Sequence, residues 1–288
     1  VRDRLIYLNG SLVRDDSAHL SAMDRGFTLG DGVFDTLSAI SGKLFRLTDH
    51  LERLVGAAGT IGLKMPVEKS ALAGAIAAVL ESNDLASALV RVTISRGIPV
   101  ERGLLPPTNP SPCLAISAMP FGGYRRELFE RGYRAAVSRI RRNETSPLSR
   151  IKSCNYLDSV LARMETSAQG AEEALLLNTA GNLACGASSN VFLVKDEVLV
   201  TPDLESGVLD GIVRRTVLEL AAHLGLPSIQ RPVRPEEVDE AQEVFVTNTA
   251  IGIVPVVALD GRAVGRESVR PVSTKLHRAF CDLVTHRD

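Results

Sequence analysis

The chain has 288 residues, 45% hydrophobic and 23% charged, enough to bury one large core or two medium ones. Its 33 basic and 34 acidic residues leave a formal charge of −1, and the only basic cluster is Arg139, Arg141 and Arg142, so no nucleic acid partner is expected. The cysteines at 113, 154, 185 and 281 lack metal-ligand spacing, and apolar runs such as 71–80 are too short for a bilayer. With no signal peptide visible, a cytoplasmic protein without metal or membrane contact is expected.

In chain order, residues 5–8 and 11–14 predict two strands joined at Asn9-Gly10. Residues 33–40 and 43–47 read as a hairpin turning at Ser41-Gly42. Thr48 is expected to cap a helix through about residue 58, because Leu51, Leu54 and Val55 recur at helical spacing; an Ala-rich helix over 67–81 follows. In 89–95, Val90, Val92 and Ile94 alternate with Arg91, Thr93 and Ser95, the pattern of a half-buried strand. A Pro/Gly-rich loop at 97–112 precedes a strand at 113–119. Residues 120–125 read as a linker between an N-terminal domain, 1–119, and a C-terminal domain, 126–288, that carries Lys152. Beyond it the pattern predicts strands at 133–140, 173–178, 191–194, 197–201, 243–248 and 253–259, with helices at 155–168 and 212–224. This irregular alternation predicts two α/β or α+β domains, and no GxGxxG follows a strand as a dinucleotide fold would require.

Lys152 stands between a polar loop and an amphipathic stretch, in Ser149-Arg150-Ile151-Lys152-Ser153-Cys154-Asn155-Tyr156-Leu157. Four further motifs accompany it: Gly30-Asp31-Gly32-Val33-Phe34, His50-Leu51-Glu52-Arg53-Leu54, Glu173-Ala174-Leu175-Leu176-Leu177-Asn178, and Gly186-Ala187-Ser188-Ser189-Asn190-Val191-Phe192-Leu193-Val194. Together and in this order they resemble the class IV (fold type IV) aminotransferases, a family that includes branched-chain and D-amino-acid transaminases and aminodeoxychorismate lyase. The resemblance implies a two-domain α+β fold of the D-amino-acid aminotransferase type. It also implies pyridoxal 5'-phosphate as cofactor, carried by Lys152 as a Schiff base.

Such a site needs an anion cup. By resemblance Arg53 is its arginine, and a guanidinium can grip a dianion with two parallel bonds. Gly211-Ile212-Val213-Arg214 opens a helix whose free N–H groups suit a phosphate, so the amides of Ile212 and Val213 are candidates; many family members have Thr at the position of Val213. Thr247-Asn248-Thr249-Ala250 supplies the third element, with Thr249 as hydroxyl donor beside Asn248. Tyr156 is a candidate for the ring's phenolic oxygen. On the substrate side Phe34, Thr36 and Ala250 are expected to line the pocket, and Arg91, Arg96 or Arg102 to bind a carboxylate.

One position departs from the family. Where a glutamate normally precedes the glycine of Gly-x-Ser-Ser-Asn and keeps the ring nitrogen protonated, this chain has Cys185, and Glu172 and Glu173 lie outside that register. A thiol with a reference pKa of about 8.5 is mostly neutral at pH 7 and makes a weaker hydrogen bond than a carboxylate. Three functions follow: an aminotransferase acting on a small branched-chain or D-amino acid and a 2-oxo acid, an aminodeoxychorismate lyase using the same lysine, or a cofactor-binding protein with degenerate catalysis. The family resemblance further implies a homodimer.

Overall fold

The computed structural model describes residues 4–101, 103–265 and 270–286. Contacts divide the chain into two units, one of residues up to Gly123 together with Ile151–Asn155, the other of Tyr124–Arg150 and the residues from Tyr156 onward. The Lys152 segment, which the sequence reading assigned to the second domain, therefore groups with the first unit.

The first unit comprises β1 (Leu5–Leu8), β2 (Ser11–Arg14), α1 (Arg25–Leu29), β3 (Gly32–Ile40), β4 (Lys43–Leu44), α2 (Leu47–Thr60), α3 (Lys69–Ser82), β5 (Ala88–Ser95) and β6 (Cys113–Pro120). Its sheet has the order β2-β1-β6-β5-β3-β4, and every pair in it is antiparallel. The register of β3 on β5 pairs Val33 with Ile94, Asp35 with Val92 and Leu37 with Val90 on one face. Phe34 pairs with Thr93 and Thr36 with Arg91 on the other. Because side chains alternate along a strand, the first set joins Leu51, Leu54, Leu72 and Ile76 of α2 and α3 in the core, while the second set is turned away from it. The strand expected over 43–47 is only two residues long. Arg46, not Thr48, precedes α2, in the left-handed conformation (φ 53°) and without a side-chain cap, so Thr48 lies inside the helix.

The second unit comprises α4 (Arg126–Arg131), β7 (Tyr133–Val137), α5 (Leu157–Ser167), β8 (Glu173–Leu177), β9 (Leu183–Gly186), β10 (Asn190–Lys195), β11 (Val198–Thr201), α6 (Ile212–His223), β12 (Ser228–Gln230), α7 (Glu237–Glu240), β13 (Glu243–Asn248), β14 (Gly252–Leu259), β15 (Arg262–Ala263) and α8 (Pro271–His286). A nine-stranded mixed sheet runs β12-β11-β10-β13-β14-β7-β8-β9, with β15 paired to β14. Phe192 of β10 and Phe245 of β13 are register partners, and their rings stack with centroids 5.0 Å apart. Leu276, Phe280 and Val284 recur every fourth residue of α8 and are all buried. Among the described residues no helix is long and apolar enough to cross a membrane.

The start of α8 is held by a carboxylate. Glu243 Oε1 accepts from the Val272 amide (2.8 Å), and Oε2 accepts from the Ser273 amide (2.8 Å) and hydroxyl (2.5 Å). These amides belong to the first turn, where no intrahelical acceptor exists. Glu243→Ala strands three donors, two of them buried, so a loss of ~1–3 kcal/mol is expected, read as a lower urea midpoint with an unchanged slope.

Candidate active site

Lys152 does not open a helix, since α5 begins only at Leu157. Its segment instead lies alongside the start of β3. The Phe34 amide donates to Lys152 O (2.8 Å), the Cys154 amide donates to Gly32 O (2.9 Å), and Val33 and Ser153 form an antiparallel bridge. Asn155 Nδ2 adds a bond to Gly30 O (3.0 Å). Glycine is needed at 32, because a Cβ there would stand 2.7 Å from Ile94 O and 3.3 Å from Cys154 Sγ.

This stitching sets the lysine over an aromatic floor. Lys152 Nζ is 4.8 Å from the Phe34 ring centroid, and the Arg91 guanidinium carbon is 3.7 Å from the same centroid. Arg91 Nε also donates to Thr93 Oγ1 (3.2 Å). Phe34, Thr36 and Arg91 thus share one sheet face, with the lysine amine beside the Phe34 ring.

Arg96 is different. It is 3% exposed, and it donates through Nε to Asp31 Oδ2 (2.8 Å), Nη1 to Gly62 O (3.0 Å) and Nη2 to Ile61 O (2.7 Å). Arg25 donates through Nε to the same Asp31 oxygen (2.8 Å) and through Nη1 and Nη2 to Gly103 O and Leu104 O (2.8 Å each). Burial pushes the Asp31 carboxyl up, but hydrogen bonds from Arg96 and Arg25 outweigh it and hold the group below its ordinary value. Arg96 is therefore an anchor for the chain after β5, and the expectation that it binds substrate is corrected. Arg102 lies outside the described residues.

On the core face, directly after Phe34, sits Asp35, 1% exposed. Arg53 forks onto it, with Nε to Oδ2 and Nη2 to Oδ1 both at 2.8 Å, and His50 Nδ1 lies 2.9 Å from Oδ1. The Thr36 amide donates to Oδ1 as well (2.7 Å). Burial raises this carboxyl, yet the Arg53 charge and the His50 hydrogen bond prevail and keep it far below the carboxylate range. Burial lowers His50, which is neutral at pH 7; its Nδ1–H faces the carboxylate, and its enclosed Nε2 has no partner. Neither Asp35 nor His50 was singled out from sequence. The available signal was a charged residue at an inward position of an apolar strand, with a cation on the next helix.

The second unit carries the other candidates. Ile212 and Val213, both buried, form the first turn of α6 behind Gly211, which offers no side-chain cap. A Cβ at 211 would stand 2.1 Å from Asn190 Oδ1, whose amide donates to Leu209 O (2.9 Å). Thr247 is the register partner of Asn190, and its hydroxyl is buried without a partner. An orphan hydroxyl one strand from an uncapped helix start is an arrangement that an anion completes, so these residues fit a phosphate group. Asn248 Oδ1 accepts from the Ala250 (2.8 Å) and Ile251 (3.0 Å) amides, and Thr249 O accepts from the Tyr124 hydroxyl (3.1 Å), which shapes the turn bearing Thr249. Tyr156 lines a groove of about 690 Å³ with Arg163, Met164, Ala187 and Ser188.

Cys185 is buried opposite Leu176, among Ile140, Ala162, Ala174 and Val208. Burial pushes its thiol up against the opposing pull of Arg142, so the group is neutral. Glu173 comes close by in space although not in register: a Cβ on Gly186 would stand 2.9 Å from Glu173 Oε2 and 2.0 Å from Ser189 Oγ. That Glu173 oxygen already accepts from the Ser189 hydroxyl (2.7 Å) and Oε1 from the Ala174 amide (2.8 Å), and burial raises the carboxyl. Glu173 therefore serves the turn between β9 and β10.

Comparison with known proteins agrees with this geometry. The amino-transferase class IV family model matches residues 32–259. A putative branched-chain-amino-acid aminotransferase of Methanocaldococcus jannaschii is 35% identical over 284 residues, 97% of this chain and 96% of that protein. The crystal structure of the Escherichia coli branched-chain amino acid aminotransferase superposes with a TM-score of 0.93 at 32% identity, covering 98% of this chain and 95% of that one. A 4-amino-4-deoxychorismate lyase from Pseudomonas aeruginosa does so with a TM-score of 0.84 at 33% identity, covering 96% and 98%. The chain belongs to the class IV aminotransferases, enzymes of fold type IV that work with pyridoxal 5'-phosphate.

Proposed function

We propose that this enzyme moves the amino group of a small branched-chain amino acid to a 2-oxo acid, with Lys152 holding the cofactor and moving the proton. The observation that carries this reading is the grouping of Lys152 Nζ and the Arg91 guanidinium about the Phe34 ring, 4.8 and 3.7 Å from its centroid. A carboxylate gains by meeting the guanidinium, so a small amino acid is held by it beside the amine. The branched-chain names of the two aminotransferases compared above support the same class. The lyase alternative uses the same lysine and rests on one segment, 247–252, so transfer is preferred.

When bound, pyridoxal 5'-phosphate supplies an electron-withdrawing ring. The groups that would hold its phosphate are Arg53 in the first unit and, in the second, the Ile212 and Val213 amides and the Thr247 and Thr249 hydroxyls, with Asn248 keeping the Thr249 turn in shape; Tyr156 would serve the phenolic oxygen. Lys152 Nζ would take the substrate Cα proton and return it two bonds away, on the far side of the nitrogen. Phe34 shields that proton from water on one side, Thr36 offers a hydroxyl to the substrate, Ala250 walls the pocket and Arg91 orients the carboxylate. Lys152→Ala should abolish covalent attachment of cofactor. Borohydride reduction and peptide mapping test this, and label on any other lysine rejects the assignment. In a screen of donors, L-leucine, L-isoleucine and L-valine should drive the amino half-reaction; conversion of D-alanine alone would redirect the reading to the D-amino-acid type.

Cys185 sets the strength of the electron sink in this reading. Cys185→Glu places a carboxylate at the ring nitrogen, and Cα proton removal should speed up tenfold or more if ~1.4 kcal/mol is recovered. The larger side chain overpacks an apolar cluster at ~1–3 kcal/mol of stability, so folded, cofactor-loaded protein is compared, with Cys185→Ser as size control. An unchanged spectrum and rate in the Glu variant would remove Cys185 from the ring.

A homodimer accounts for α5, where Leu157, Val160, Leu161 and Met164 form an apolar stripe at helical spacing and are 68%, 48%, 44% and 64% exposed. Sedimentation at micromolar concentration should give twice the chain mass; an active monomer would refute it. Four free cysteines among the described residues support a reducing, cytoplasmic setting.

A further inference from the structure

Arg53 reaches its position on a long, flexible stem, and an arginine that must be ordered by its anion loses rotamer freedom in doing so. Here that order is already present. Nε and Nη2 are committed to the two oxygens of Asp35, which fixes the plane of the guanidinium and directs its opposite edge, that of Nη1, away from the carboxylate. Asp35 is fixed in turn, because Oδ1 also accepts from the Thr36 amide and faces His50 Nδ1, a buried ring on the same turn of α2 as Arg53. A carboxylate so close to an anion cup opposes the anion's charge, which makes sense only if orientation matters more than charge there.

We propose that Asp35 is a positioning residue for the cofactor phosphate: with His50 behind it, it holds the Arg53 guanidinium in its phosphate-binding orientation before cofactor arrives. This rests on the reading of Arg53 as a phosphate ligand. Asp35 itself touches neither phosphate nor substrate, and it acts through preorganisation of its neighbour. Because it lies one residue beyond Phe34, the same strand orients the aromatic floor on one face and the phosphate arginine on the other.

The test compares pyridoxal 5'-phosphate with pyridoxal, which attaches to the lysine but has no phosphate. Dissociation constants for both are measured by absorbance on cofactor-free wild type, Asp35→Asn, Arg53→Lys and Arg53→Ala. Asp35→Asn should weaken the phosphorylated ligand by about tenfold or more and leave pyridoxal within about threefold, the loss of one oriented charge-assisted contact. Arg53→Lys keeps the charge but cannot fork onto Asp35, and it should lose most of the preference as well. Should Asp35→Asn fail to fold, the Lys variant carries the test. Equal weakening of both ligands by Asp35→Asn, or full preference retained by Arg53→Lys, overturns the positioning role. If Arg53→Ala retains the preference, the phosphate reading of Arg53 fails and the inference falls with it.

Discussion

The backbone pairing of residues 152–154 with the start of β3 is the constraint on which the first unit's chemistry rests. Two backbone hydrogen bonds, Phe34 N to Lys152 O and Cys154 N to Gly32 O, fix where the lysine chain departs. A lysine side chain alone is mobile, with four rotatable bonds and large rotamer entropy. Pinning its backbone to β3, the penultimate strand of the sheet order, restricts the reach of the amine, which lies 4.8 Å from the Phe34 ring centroid. The close approach depends on Gly32, where any side chain would meet the neighbouring strand.

Strand β3 and the residue just before it carry the same electrostatic device twice. Asp31 and Asp35 are both enclosed carboxylates that organise arginines, and both owe their ionised state to the guanidinium groups they orient. In each case the cost of taking a carboxylate out of water is offset by several directed donors rather than by one ion pair. The second unit behaves in the opposite way around Cys185. There an apolar cluster keeps a thiol neutral, so Cys185 contributes little field of its own.

Much of this was legible in the residues. Alternation along 89–95 separates Arg91 from Val90 and Val92, because parity along a strand is a local property, and the pairing with β3 places Phe34 and Thr36 on the face of Arg91. The motif order led to the family and the cofactor. Contacts made by long side chains to distant backbone were not legible: Arg96 reaches Ile61 and Gly62, and Arg25 reaches Gly103 and Leu104. From sequence, Arg91 and Arg96 look like equal candidates for a carboxylate, and only the fold reveals that one is exposed beside an aromatic ring and the other fully employed. The helix at 271–286 was missed although Pro271 suits a first turn and Leu276, Phe280 and Val284 mark its buried face. Glu173 is set aside by register although it lies near Gly186 in space, because register along a strand does not measure distance across a turn.

The anchor built by Arg25 grips the loop after β5 by its carbonyl oxygens at Gly103 and Leu104, and not by any side chain. Every residue type carries a carbonyl, so this hold is indifferent to sequence. Val100, Leu104 and Leu105 project from that loop almost fully into the open. Exchanging them alters the surface the loop displays while its attachment stays the same. The fold thereby keeps a segment open to variation across descendants, in which new preferences can be tried without rebuilding the frame that carries them.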